Sequence, residues 1–127
     1  MLRLLATLAE QAKILIAANN YADSLRRLRR FEEAKSLLRK TIPAARRVLG
    51  EGNRLALTMR WNYGNALYKD DVATLDDLHE AVTTLEDTER IARRVLGSAH
   101  PMMEGIEDDL RRARAALAAR ETPSPSA

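Results

Sequence analysis

Apolar residues recur at three- and four-residue steps along most of this 127-residue chain, the period of helices that bury one face. The clearest stripe runs Phe31, Ala34, Leu38, Ile42, Ala45, Leu49, and a second runs Leu78, Ala81, Leu85, Ala92, Leu96. Both lead into the same six residues, ARRVLG, at 45–50 and again at 92–97. That hexapeptide has the chemistry of a helix ending. Its arginines meet the carbonyl end of the helix dipole, and its glycine can take the left-handed backbone that closes a helix. A helix start follows each glycine: Asn53 is suited to cap one helix, and Pro101 to open another. Thr74 followed by Asp77 reads as an N-cap with an acid in the first turn. The pattern predicts five helices, at 2–28, 31–49, 54–69, 75–96 and 101–119. Pro43 lies inside the second, where a missing N–H can cost about 3 kcal/mol, so a kink or break is expected near 40–43. Residues 120–127, ending PSPSA, form an expected disordered tail after a 1–119 domain.

The two glycine endings lie 47 residues apart, whereas Asn20-Tyr21-Ala22 matches Asn62-Tyr63-Gly64 at 42. The five-residue difference places an insertion within 70–75, between the paired helices of the second unit. Two helices per unit and a period in the forties are the pattern of an α-solenoid. On these residues the chain resembles the tetratricopeptide repeat family, in the longer-repeat type found in kinesin light chains. Asn20-Tyr21-Ala22, Leu25, Phe31-Glu32-Glu33-Ala34 and residues 46–50 carry the resemblance in the first unit. Asn62-Tyr63-Gly64, Leu67, Glu80-Ala81 and residues 93–97 carry it in the second, and His100-Pro101 opens a third.

The resemblance spans about residues 12–117. It implies an all-α fold: a short right-handed solenoid of antiparallel helix pairs, about two and a half repeats, closed by a C-terminal capping helix. Small residues fit that geometry, with Ala22 and Gly64 facing Ala34 and Ala81 where paired helices cross closely. In the third unit the equivalent position is Arg111, on a polar face with Glu107, Asp108 and Arg112. Glu107–Arg111 and Asp108–Arg112 have the spacing of favourable ion pairs, as a solvated cap requires.

The resemblance further implies that the inner helices form a concave groove for an extended peptide or protein segment. The corresponding positions are Asn19, Asn20 and Asp23 on the first helix. Thr58, Trp61, Asn62, Asn65 and Lys69 follow on the third, with Asp109 and Arg112, beside Asp108, on the fifth. Asparagine suits such a role because its amide both donates and accepts, and Trp61 is a candidate anchor. Asp23, Asp108 and Asp109 would repel an acidic ligand, so a neutral or partly basic peptide is expected.

Composition narrows the alternatives. Hydrophobic residues are 46% and charged residues 31% of the chain, too apolar for disorder and too charged for a membrane protein. The net charge is only +3, from 21 bases and 18 acids, so neither nucleic acid nor membrane is an expected partner. Arg26–Arg30 is the densest basic run; without stacking aromatics it reads as an exposed turn, an anion-binding surface being the weaker alternative. Residues 1–30 carry only Glu10 and Asp23 as acids, but a single serine and continuity with the repeat argue against a targeting segment. The absence of cysteine fits a reducing, cytoplasmic setting. No GxSxG, phosphate loop or HExxH is present, and Asp76 with His79 lacks a second ligand pair. No enzyme, cofactor or metal is expected. Leu2, Leu4, Leu5 and Leu8 open a second possibility, a homo-oligomer formed by burying the first helix against another copy.

Overall fold

A computed structural model describes residues 2–122, which form five helices. These are α1 (Leu2–Arg27), α2 (Phe31–Leu49), α3 (Arg54–Lys69), α4 (Leu75–Leu96) and α5 (Pro101–Glu121). The three middle helices have the bounds that the apolar stripes imply. α1 stops one residue early and α5 runs two further, so Arg120 and Glu121 are helical rather than part of a tail; residues 123–127 lie outside the described residues.

Short turns fold each helix back onto its predecessor, and α3 also packs against α1 and α5. α2 and α4 do not pack directly on each other. The result is a row of α1, α3 and α5 backed by α2 and α4, the layout of a short helical solenoid. Leu15, Leu38, Met59, Leu67, Leu85 and Leu110 form the main core, drawn from every helix. A second cluster, with Leu57, Ile91, Met103 and Ile106, joins α3, α4 and α5.

Local chemistry sets the boundaries. The Asn53 side chain accepts from the Leu55 N–H at 2.8 Å, and His100 Nδ1 accepts from the Met102 N–H at 3.1 Å. Thr74 and Asp77 form a reciprocal capping box, which satisfies N–H groups that the first helical turn leaves open. Gly50 and Gly97 have φ of 91° and 86°, but their ψ values of 154° and 155° are extended. They therefore leave the helix through a region open essentially to glycine, not through the left-handed helical one. Arg29 does take the left-handed conformation, at φ 61°, and the Arg30 N–H reaches back to the Leu25 carbonyl at 2.8 Å.

Three expectations need correction. α2 runs unbroken through Pro43, whose ring lies on the exposed face while Leu38 and Ala45 stay fully buried on the other. Tertiary packing of that face holds the helix together where propensity alone would break it. Glu107 does not pair with Arg111. It reaches Arg93 in the last turn of α4 at 2.8 Å, and Arg111 turns to Asp108 at 2.6 Å. The side chain that crowds Gly64 is Leu85, one turn beyond Ala81: a Cβ on Gly64 would lie 2.6 Å from Leu85 Cγ. Ala22, Ala34 and Ala81 are fully buried, as close helix crossings require.

Tyr63 ties the two outer helices together across α3. Its hydroxyl accepts from Arg39 Nε of α2 at 2.9 Å and donates to Glu80 Oε2 of α4. Burial first, then the Glu80 carboxylate, push the phenol up to about 12. Because the folded value is raised above the unfolded one of about 10, the associated stability is full below pH ~10 and lost as pH rises through the folded value. Stability should therefore fall between these values, and Tyr63→Phe should flatten part of that fall. An unchanged profile in the variant would contradict the assignment.

Candidate functional site

α1, α3 and α5 line an open cavity of about 500 Å³. All ten residues singled out in the sequence face it. α1 contributes Asn19, Asn20 and Asp23, α3 contributes Thr58, Trp61, Asn62, Asn65 and Lys69, and α5 contributes Asp109 and Arg112. Helical spacing accounts for this: steps of three and four residues keep side chains on one face of each helix.

The polar groups of the groove bond to one another across the helices. Asn62 Nδ2 donates to Asn19 Oδ1 at 3.1 Å, joining α3 to α1. Asn65 bridges in both directions: its Oδ1 accepts from Arg26 at 3.1 Å and its Nδ2 donates to Asp109 at 3.0 Å. Asp109 also accepts from Trp61 Nε1 at 2.6 Å and from the Tyr68 hydroxyl. One carboxylate thus gathers three donors from α3. Burial, then the Asp109 hydrogen bond, raises the Tyr68 phenol well above its ordinary value.

These contacts divide the residues by availability. Trp61 is not an open anchor. Its indole N–H is committed to Asp109, and its ring lies where a Cβ on Gly105 would be, 2.4 Å from Cζ2. Thr58 donates its hydroxyl to the Arg54 carbonyl of its own helix. Asn20 is exposed, and Arg112 is held by Asp108 at 3.0 Å. Lys69 forms no ion pair among the described residues. Asn19 Nδ2 and Asn62 Oδ1 likewise make no side-chain bond there, which leaves a donor and an acceptor side by side.

Arg26, Arg27 and Gly105 also line the groove, and the sequence reading missed them. Arg26 lies seven residues beyond Asn19 on the same face of α1, but the Arg26–Arg30 run drew it into a presumed turn. The visible signal for Gly105 was a glycine in a helix interior, which marks a close approach. The expected repulsion of an acidic ligand also weakens. Asp23 is paired with Arg26 at 2.7 Å and Arg27 at 3.0 Å, and Asp108 with Arg111 and Arg112. Arg26, Arg27, Lys69 and Arg112 slightly outweigh Asp23, Asp108 and Asp109 in the lining.

Elsewhere, the basic run is largely internally paired. Arg29 reaches Asp71 at 3.3 Å, and Arg30 holds Glu33 through two nitrogens. His79 Nε2 lies 3.0 Å from Glu121 Oε1. Among the described residues no group of three His, Cys, Asp or Glu side chains could hold a metal ion, and no helix is long and apolar enough to cross a membrane.

Residues 14–55 match the family model described as Tetratricopeptide repeat. No curated protein and no solved structure matches the chain. The matched stretch takes in the second half of α1, all of α2 and the entry to α3, and the remaining helices continue the same packing. The chain carries a tetratricopeptide repeat at residues 14–55.

Proposed function

We propose that this protein is a non-catalytic interaction scaffold that holds an extended peptide segment of a protein partner in the groove of α1, α3 and α5. Repeats of this family generally mediate protein–protein interaction, and the observation that carries the reading here is the Asn19–Asn62 pair. Its free amide donor and free carbonyl acceptor match the N–H and C=O of a peptide backbone. With Asp23 and Asp108 held by arginines and Asp109 bonded by three neutral donors, the lining suits the neutral end of the neutral or partly basic range expected from the sequence. A groove of this size, with few open anchors, suits transient binding. The kinesin light chain-like character of the repeats and a cytoplasmic setting belong to this proposal too.

A displayed library of extended peptides, selected on the intact chain, provides the test. Selected peptides should lose about tenfold in affinity on Asn62→Ala, the worth of one or two backbone hydrogen bonds. Binders indifferent to Asn62→Ala and Asn19→Ala would refute the groove reading.

A specific observation favours a second reading, self-association. α1 is seven residues longer than α2, an overhang of about 10 Å, and Leu2, Leu4, Leu5 and Leu8 on it are 84%, 61%, 55% and 38% exposed. A concentration-dependent dimer in sedimentation, abolished by Leu5→Glu, would support this reading. A strict monomer at high concentration would remove it.

A further inference from the structure

Because α2 and α4 do not pack on each other, a cleft of about 250 Å³ remains between them over the back of α3. It lies on the opposite face of α3 from the groove. Arg60 lines it, and the Arg60 side chain retains only 10% of its exposure. Its Nη1 is sealed from water and has no hydrogen-bond partner. The nearest carboxylate to its Nη2 is Asp87, at 4.0 Å, too far for a hydrogen bond.

Both acids of the cleft already have partners. Asp87 is held by Arg90 at 3.3 Å, and Glu80 accepts from Tyr63. Two more arginines line the same space: Arg39, bonded through Nε to Tyr63, and Arg46, which meets Glu51 through Nη2. Arg39 and Arg46 are seven residues apart on α2, and so share a face. A buried guanidinium whose one ion-pair partner stands 4.0 Å away, and whose Nη1 has no partner at all, is poorly compensated. Burial first, then the nearby Arg46, push the Arg60 pKa below its ordinary value.

We propose that this cleft binds a phosphate group, with Arg60 at its base and Arg46 and Arg39 at its sides. A tetrahedral oxyanion brings several acceptor oxygens to one point and matches the planar guanidinium fork. Thr83 and Thr84, which also line the cleft, can add hydroxyl donors. The cleft has the room of roughly eight waters at ~30 Å³ each, more than a bare phosphate fills, so a phosphomonoester fits as well as the free ion.

The intact chain, titrated at constant ionic strength with inorganic phosphate and separately with phenyl phosphate, tests this by backbone amide NMR. Saturable shifts should centre on residues 39–46, 60–63 and 80–87, with the monoester the tighter ligand if the extra room is used. Arg60→Met should weaken binding about tenfold, the scale of one charge-assisted contact. Arg46→Gln, at a half-exposed position with little at stake for folding, should weaken it as well. Asp87→Asn should tighten it by removing the repelling carboxylate. Non-saturating shifts, shifts centred on Arg26–Arg30, or equal affinity in the wild type and Arg46→Gln would overturn the proposal. None of these outcomes bears on peptide binding in the groove, which Asn62→Ala tests separately.

Discussion

Asp109→Ala should lower the unfolding free energy by about 2–4 kcal/mol, because part-buried donors left without an acceptor cost about 1–3 kcal/mol each. Trp61, Asn65 and Tyr68 would all lose the same partner, and water can reach the open groove to replace part of what is lost. Asp109→Asn keeps the shape and one acceptor oxygen but turns an amide toward donors, so a smaller loss is expected. Urea unfolding followed by fluorescence reads the effect directly, since Trp61 is the single tryptophan and its indole is one of the affected donors. The midpoint should fall at unchanged denaturant slope. A loss below about 0.5 kcal/mol, the level of an ordinary surface substitution, would show that the three donors find other partners and that Asp109 does not organise the groove.

Gly105→Ala should be destabilising even though alanine is the better helix former by about 1 kcal/mol. The added methyl would stand 2.4 Å from Trp61 Cζ2 and 2.6 Å from Cη2, and overpacking of this kind costs about 1–3 kcal/mol. An indole is planar and rigid, and its Nε1 bond to Asp109 opposes the rotation that would relieve the clash. A net loss of about 1–2 kcal/mol follows. Gly64→Ala makes a similar approach to Leu85, but an isobutyl group can change rotamer, so the loss there should be smaller. The decisive measurement is a double-mutant cycle: Trp61→Phe removes the far ring and should recover much of the Gly105→Ala loss. Additive effects would mean that the two residues do not press on each other.

The fold was largely legible because helical repeats write their architecture locally. Apolar stripes at 31–49 and 75–96, glycine exits and the Asn53, Thr74 and His100 caps depend on neighbours within a few residues, and these set the helix bounds almost to the residue. Membership of the groove was legible for the same reason. Helical periodicity assigns a face, and Asn19, Asn62 and Asp109 lie on the inner faces of their helices.

Sequence alone thus determined the number of helices, their ends and the side of each that faces inward, since these follow from backbone hydrogen bonding and a 3.6-residue period. Tertiary structure decided which of the inward groups remain free. Asp109 gathers Trp61, Asn65 and Tyr68, Glu107 prefers Arg93, and Pro43 is carried within α2. Each outcome depends on distances between residues far apart in the chain, and such distances are fixed only when the helices pack.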